Sequence, residues 1–299
     1  MPVSDARGKM EMSMQRANGW INGFAGVLIF SGSLPATRAA VAGFDPLFLT
    51  VARASIAGLL ALALLCLFRQ ERPERRDLRS LLVVALGVVV GFPLLTALAL
   101  RQITSAHSIM FIGLLPLATA FFGVLCAGER PRFSFWLFSA LGTMLVTGFA
   151  LSHGFSAEPE SDLLMLAAII ICGLGYAEGA KLARRLGGWQ VISWALVLSL
   201  PLMLFLTAFT FPPDLEEVRG PAWVGLAYVS VFSMLVGFIF WYRGLAQGGI
   251  AAVGQLQLLQ PFFGLAMAGL LLGEVVSLPM VAVTFGVISC VVAARKASR

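Results

Sequence analysis

The sequence predicts an all-α membrane protein: ten transmembrane helices forming two five-helix repeats that cross in opposite senses. Three observations carry this. Of 299 residues, 59% are apolar and 12% charged, with mean hydropathy +0.91; a soluble domain has about 45–50% apolar and about 25% charged residues. The charges gather in short breaks between apolar stretches of the length a bilayer requires, about 20 residues each. The second half of the chain also echoes the first at a constant offset. This composition argues against a water-soluble enzyme.

The first 19 residues are polar and are expected to be flexible. The apolar run that follows has no small-residue cleavage site, so it reads as a retained first helix rather than a removed signal peptide. The first repeat, 20–152, is expected to hold spans at 20–42, 46–68, 79–100, 104–127 and 133–152. The second, 162–295, is expected to hold spans at 162–183, 189–211, 221–242, 248–272 and 276–294. With both termini on one side, that side receives 17 of the 21 basic residues, in clusters such as Arg72–Arg79, Arg130–Arg132 and Lys181–Arg185. The opposite side receives Arg38, Arg101 and Arg219 with most of the acids. The positive-inside rule then puts both termini in the cytoplasm. The net charge of +6 thus marks orientation rather than a nucleic-acid partner.

Chemistry-bearing motifs are sparse. Cys66, Cys126, Cys172 and Cys290 all lie within apolar stretches without CxxC spacing, and read as small packing residues. His107 and His153 are too few and too scattered for a metal site. The sequence holds no Walker lysine loop, HExxH or GxSxG. No metal or cofactor is expected, and no enzymatic activity.

The repeat decides the architecture. The fourth stretch reads SIMFIGLLPLATAFFGVLCAGE and the ninth VGQLQLLQPFFGLAMAGLLLGE. One offset of 145 aligns Pro116 with Pro261, Gly128 with Gly273 and Glu129 with Glu274, and also Leu100 with Leu245 and Gln102 with Gln247. Five helices per repeat is odd, so the repeats are inverted with respect to each other. In that arrangement a solute site is expected near the midplane, between the halves.

Two copies of five helices, each carrying P-x11-G-E before a glycine-bearing last helix, resemble the drug/metabolite transporter superfamily in its ten-helix EamA-like branch. With FSGSLPATR, Phe30 to Arg38, in the first helix, the chain is most similar to the YddG-type exporters of amino acids, including aromatic ones. The resemblance implies a multi-pass inner-membrane transporter working by alternating access.

Polar side chains within spans face protein or water-filled cavities. Gln257 and Gln260 are three apart and share a face, fit either to clamp an amino-acid-like solute or to bond a neighbouring helix. Gln255 points elsewhere and reads as an interhelical bond. The matching face of the fourth span is Leu115, Ile112 and Ser108, bordered by Phe111, and is mostly apolar. One polar and one apolar wall suit an amphipathic solute. The eighth span carries Ser230, Ser233, Gly237 and Trp241 in one stripe; its mate in the third runs through Phe92 and Thr96. The serines read mainly as packing residues. Trp241 is either a site residue or, with Tyr242 and Arg243, an interface anchor. In the sixth span Gly173, Gly175 and Gly179 loosen the packing and Tyr176 can present its hydroxyl inward. Phe30 completes the candidate set, with Pro93, Pro116 and Pro261 as helix bends.

Two charges fall within spans. Arg53 is expected to snorkel or to meet Asp45, and Glu178 to pair with Lys181. Glu129 and Glu274 are expected to hydrogen-bond the start of the helix that follows each. No carboxylate lies at the centre, which favours a facilitator over proton coupling. The leading reading is an amino-acid exporter, the alternative a broad drug or metabolite exporter, with or without proton coupling. The expected partners are a small-molecule solute and the lipid bilayer. One chain suffices, because it carries both halves.

Overall fold

Apolar stretches too long and too uniform for strands become helices, and every regular element among the described residues is helical. The computed structural model describes residues 2–103, 108, 111–152, 158–264, 266 and 278–297; His107, His153, Ala268, Gly273 and Glu274 lie outside them. Among the described residues six helices are long and apolar enough to cross a membrane: Met14–Val41, Pro46–Leu67, Arg75–Gln102, Pro159–Leu186, Gly188–Phe209 and Gly220–Gly248. They lie at the first, second, third, sixth, seventh and eighth predicted stretches, and the segments are named in that order below. The fourth and fifth segments hold Leu115–Ala127 and Phe133–Ser152. The ninth starts with Ile250–Gly254, and the tenth is Leu278–Ala297.

Two differences from expectation concern the ends of elements. Helix extends back through the N-terminal region as Pro2–Ser31, so the polar run expected to be flexible continues the first span. The fourth stretch, expected from 104 to 127, is broken by a turn at Gly113–Leu114. Pro116 at the start of Leu115–Ala127 cannot donate to the carbonyl one turn back. Next to the carbonyl of Ile112 that Pro116 leaves unserved, the carbonyl of Gly113 accepts from Thr143 Oγ1 at 3.0 Å.

The first segment packs along the eighth, the second along the seventh, the fourth along the sixth and the fifth along the tenth. The contact of first with eighth is the closest. A Cβ added to Gly244 would lie 2.5 Å from the Gly23 backbone nitrogen, and one on Gly19 would lie 2.5 Å from that of Gly248. Paired small residues let two helix backbones touch, a packing suited to lipid, where no hydrophobic force drives helices together. One apolar cluster runs through the middle of the molecule, from Val27 and Phe30 to Val88, Tyr176, Trp241 and Leu258. The outside is apolar too: Leu59, Leu60, Phe121, Leu125, Phe205 and Phe209 are exposed. An apolar exterior of this extent suits lipid contact rather than water.

Candidate functional site

Regular helical bonding fails in several segments, and the irregular stretches of the first, third and eighth contribute residues to one cavity. The first segment breaks after Ser31 and resumes as Ser33–Val41. Pro35 offers no N–H to the carbonyl four residues back and its ring crowds it. The carbonyls near the break find other donors: Tyr228 Oη donates to Ile29 O at 2.6 Å, and Gln260 Nε2 to Phe30 O at 3.4 Å.

The third and eighth segments each contain a π-helical stretch, at Ala85–Gly91 and Val229–Val236. The offset of 145 superposes one on the other. Wide π turns recur at functional sites, where they re-aim side chains. Val88 and Ser233 hold equivalent places in them, and both line the cavity. Two further equivalent pairs also line it: Pro93 with Phe238, and Leu115 with Gln260. The backbone is thus used twice, while the chemistry differs. The first repeat supplies Val, Pro and Leu at these places, and the second Ser, Phe and Gln.

About 30 Å³ of this cavity is open to the centres of water-sized molecules, room for about two waters. Ligand sites that hold a small organic molecule measure about 300–1,000 Å³. The walls must therefore part before such a solute can enter. Aromatic rings form much of them. Phe30 stacks on Tyr176 with ring centroids 6.5 Å apart and planes at 14°, and meets Phe238 edge-on at 5.0 Å.

The polar side of the cavity centres on Arg53, only 6% exposed. Its Nη2 donates to Ser233 Oγ over a long 3.4 Å, and its Nε has no partner. Ser233 Oγ also bonds Ser33 Oγ at 2.7 Å. Asp45 does not reach Arg53: it caps its own helix through Leu47 N at 2.8 Å and lies 3.6 Å from Arg101. The expectation that Arg53 snorkels or meets Asp45 is therefore corrected. Arg53 lies on the face of its helix that meets the eighth segment, where Ser233 accepts from it. A cation withdrawn from water without a counter-ion costs on the order of several kcal/mol, so its place on a cavity wall calls for an explanation.

Comparison with known proteins assigns this architecture. Residues 17–150 and 160–295 each match the EamA-like transporter family. The chain belongs to that family. Over 279 residues it is 70% identical to the "Uncharacterized transporter YdeK" of Bacillus subtilis, covering 93% of this chain and 97% of that one. More distant relatives are a "Probable terminal-alkyne amino-acid exporter" of Streptantibioticus cattleyicolor (21% identical; 83% and 84% covered) and an "S-adenosylmethionine/S-adenosylhomocysteine transporter" of Chlamydia trachomatis (25%; 89% and 86%). A solved crystal structure shares the fold, with a TM-score of 0.74 at 19% identity over 93% of this chain and 98% of that one. The family and these relatives are transporters, not enzymes.

Of the residues predicted for the transporter's site, Phe30, Phe92, Pro93 and Thr96 line the cavity, as do Ile112, Leu115, Tyr176 and Gln260. The others stand behind it or away from it. Trp241 is fully buried, 5.4 Å from the Tyr176 ring and 6.2 Å from that of Phe30. It backs the aromatic wall, and burial removes the interface-anchor reading for it and for Tyr242. Gly237 is the surface on which Phe30 rests: a Cβ there would lie 2.6 Å from the ring. Gln257 shares a face with Gln260 but lies one turn earlier, where Thr119 Oγ1 donates to its Oε1 at 3.5 Å. Gln255 bonds Ser139 at 3.0 Å, the interhelical role expected of it. Ser108 is buried and Phe111 packs beside Ala99, Ile103 and Met165; neither is on the cavity wall.

The prolines fall at irregular backbone in every case. Pro93 follows the π turn of the third segment, Pro116 the turn at 113–114, and Pro261 the tight 3-10 stretch Gln255–Leu259. In the sixth segment the glycines tighten the packing rather than loosen it: a Cβ on Gly173 would lie 2.8 Å from Ala118 Cβ, and one on Gly179 2.3 Å from the Tyr242 ring. Sequence reasoning missed Ser33, Leu34, Thr37, Val88 and Phe238 as lining residues, and misjudged Arg53 and Ser233. The 145 offset alone would have paired Val88 with Ser233.

Glu129 behaves differently from its predicted role. It bonds the start of the ninth segment rather than that of the fifth. Ile250 N and Ala251 N donate to its two carboxylate oxygens at 2.8 Å each, and Arg184 Nη2 donates at 2.8 Å. Gly128, in the left-handed conformation at φ 65°, ends the fourth helix and turns the chain so that Glu129 follows just outside it. Glu178 pairs with Lys181 at 3.3 Å, as expected.

Proposed function

We propose that the chain exports amino acids, aromatic and other hydrophobic ones above all, across the inner membrane by alternating access. In this reading ten spans form two inverted halves, 20–152 and 162–295, with both termini in the cytoplasm where the basic residues gather. The observation that carries it is the cavity. Equivalent residues of both repeats meet there, aromatic side chains line one part of it, and a few polar groups line the rest. Exchanging the conformations of two inverted halves turns an outward-open cavity into an inward-open one. The small cavity fits an occluded state between the two. Phe30, Phe92, Thr96, Ile112, Leu115, Tyr176 and Gln260 contact the solute, and Trp241 and Gly237 support Phe30 from behind. The bends at Pro93, Pro116 and Pro261 let half-helices swing. No carboxylate lies on the cavity wall among the described residues, which favours facilitated movement over proton coupling. A monomer is sufficient for this cycle.

The second reading is a broader metabolite exporter. The relative named for S-adenosylmethionine favours it, since that solute joins an amino-acid head to a much larger body. Counterflow in proteoliposomes tests both readings. Labelled phenylalanine, methionine and threonine should exchange, and Leu115→Trp, which fills the cavity, should abolish that exchange. Exchange of S-adenosylmethionine with none of the three would favour the second reading. A proton gradient that proved obligatory for uphill movement would overturn the facilitative mechanism.

A further inference from the structure

The structure assigns Arg53 and Gln260 as a clamp for the two charges of an α-amino acid, Arg53 taking the carboxylate and Gln260 Oε1 the ammonium. The inference rests on the proposed reading of the cavity as the transport site, and it names the chemistry that site selects.

Among the described residues Arg53 is a cation without a counter-ion. Five of the described acids pair with other cations, Asp45 with Arg101, Glu74 with Arg76, Asp77 with Arg185, Glu129 with Arg184 and Glu178 with Lys181, and none of the described acids lines the cavity. Arg53 keeps a single long bond to a neutral hydroxyl, and its Nε is buried without a partner. A guanidinium presents its donors as a planar fork that matches a carboxylate bidentately. Gln260, 8% exposed, is spoken for on one side only. Its Nε2 donates to Phe30 O, which fixes the amide and leaves Oε1 buried without a donor. An acceptor held that way suits an ammonium. Both residues line the same cavity as Phe30, Phe92, Tyr176 and Phe238, so a solute held at its charged head has aromatic surface for its side chain. One cation also suits a carboxylate monoanion better than a phosphate dianion.

Competition against labelled phenylalanine counterflow in proteoliposomes tests this without a mutation. Unlabelled phenylalanine should compete fully, and phenylalaninol, which lacks the carboxylate, about tenfold more weakly or worse, as expected for a lost bond to a charged group. Hydrocinnamate, which lacks the ammonium, should also compete more weakly. In Arg53→Gln, phenylalanine counterflow should fall about tenfold or more and the preference over phenylalaninol should vanish, with Arg53→Lys retaining part of it. Gln260→Leu should lose the preference over hydrocinnamate instead. Equal competition by phenylalanine and phenylalaninol in the unmodified protein would overturn the clamp while leaving amino-acid transport standing. So would an Arg53→Gln protein that exchanges less of both but keeps the preference, because that pattern belongs to a structural role. If the unmodified protein exchanges no amino acid at all, the transport reading itself falls, and the clamp with it.

Discussion

Two charged side chains face opposite situations in this molecule. Glu129, at the end of the fourth segment, is satisfied by the protein. Two backbone N–H groups at the start of the ninth segment and the Arg184 guanidinium donate to it, all at 2.8 Å. Arg53, in the central cavity, has one bond of 3.4 Å to a serine. A fully partnered charge fastens elements together: here it joins a helix of the first repeat to one of the second and to the sixth segment. An under-partnered charge on a cavity wall is poised to bind something else. The region around Glu129 is thus built from bonds that the chain makes with itself, and the cavity from bonds left open.

That contrast can be broken most severely at the end of the molecule that holds Glu129. Gly244→Leu should drive the first and eighth segments apart, because the new Cβ would meet backbone rather than a movable side chain. The expected loss is about 3 kcal/mol, at the upper end for overpacking, measured as a lowered thermal midpoint in detergent together with lost counterflow. A variant as stable as the parent would show that the close crossing is not what holds this end. Glu129→Ala comes next, with a loss of about 1–2 kcal/mol from removing a helix cap. Arg184→Ala should cost less, since its side chain is 41% exposed and a solvent-exposed ion pair contributes about 0–1 kcal/mol.

In the cavity the order of effects reverses, with transport moving more than stability. Gln260→Ala should leave the thermal midpoint nearly unchanged and lower phenylalanine counterflow about tenfold, the worth of one bond to a charged group. Gln257→Ala should lower it less, because Gln257 lies a turn away against Thr119. Equal losses from the two would extend the site beyond the cavity described here. The smallest effect is expected from Lys181→Ala. Its exposed pair with Glu178 contributes under about 0.5 kcal/mol, and counterflow should not change.

Much of this was legible in the residues. Pro93, Pro116 and Pro261 marked where backbone bonding fails, because a missing N–H is a local property. The π turn of the third segment comes just before Pro93, whereas that of the eighth has no proline near it: its sequence there, VSVFSMLVG, reads as ordinary helix. That turn is packed against the first and second segments, a setting that no local pattern marks. The face shared by Gln257 and Gln260 was equally plain, but which of them meets a cavity depends on the level at which the fourth segment packs. Trp241 read either as a site residue or, because Tyr242 and Arg243 follow it, as an interface anchor; only its packing against Phe30 and Tyr176 decides against the anchor.

By itself, then, the sequence determined what covalent order and composition control: apolar stretches that become helices, a doubled architecture, the breaks at proline and the αL stop at Gly128. The tertiary structure decided what depends on partners far along the chain. Arg53 meets Ser233 across 180 positions, and Glu129 meets Ile250 across 121. Whether a charge is satisfied or left open is a property of its neighbours in space, and no local pattern encodes those neighbours.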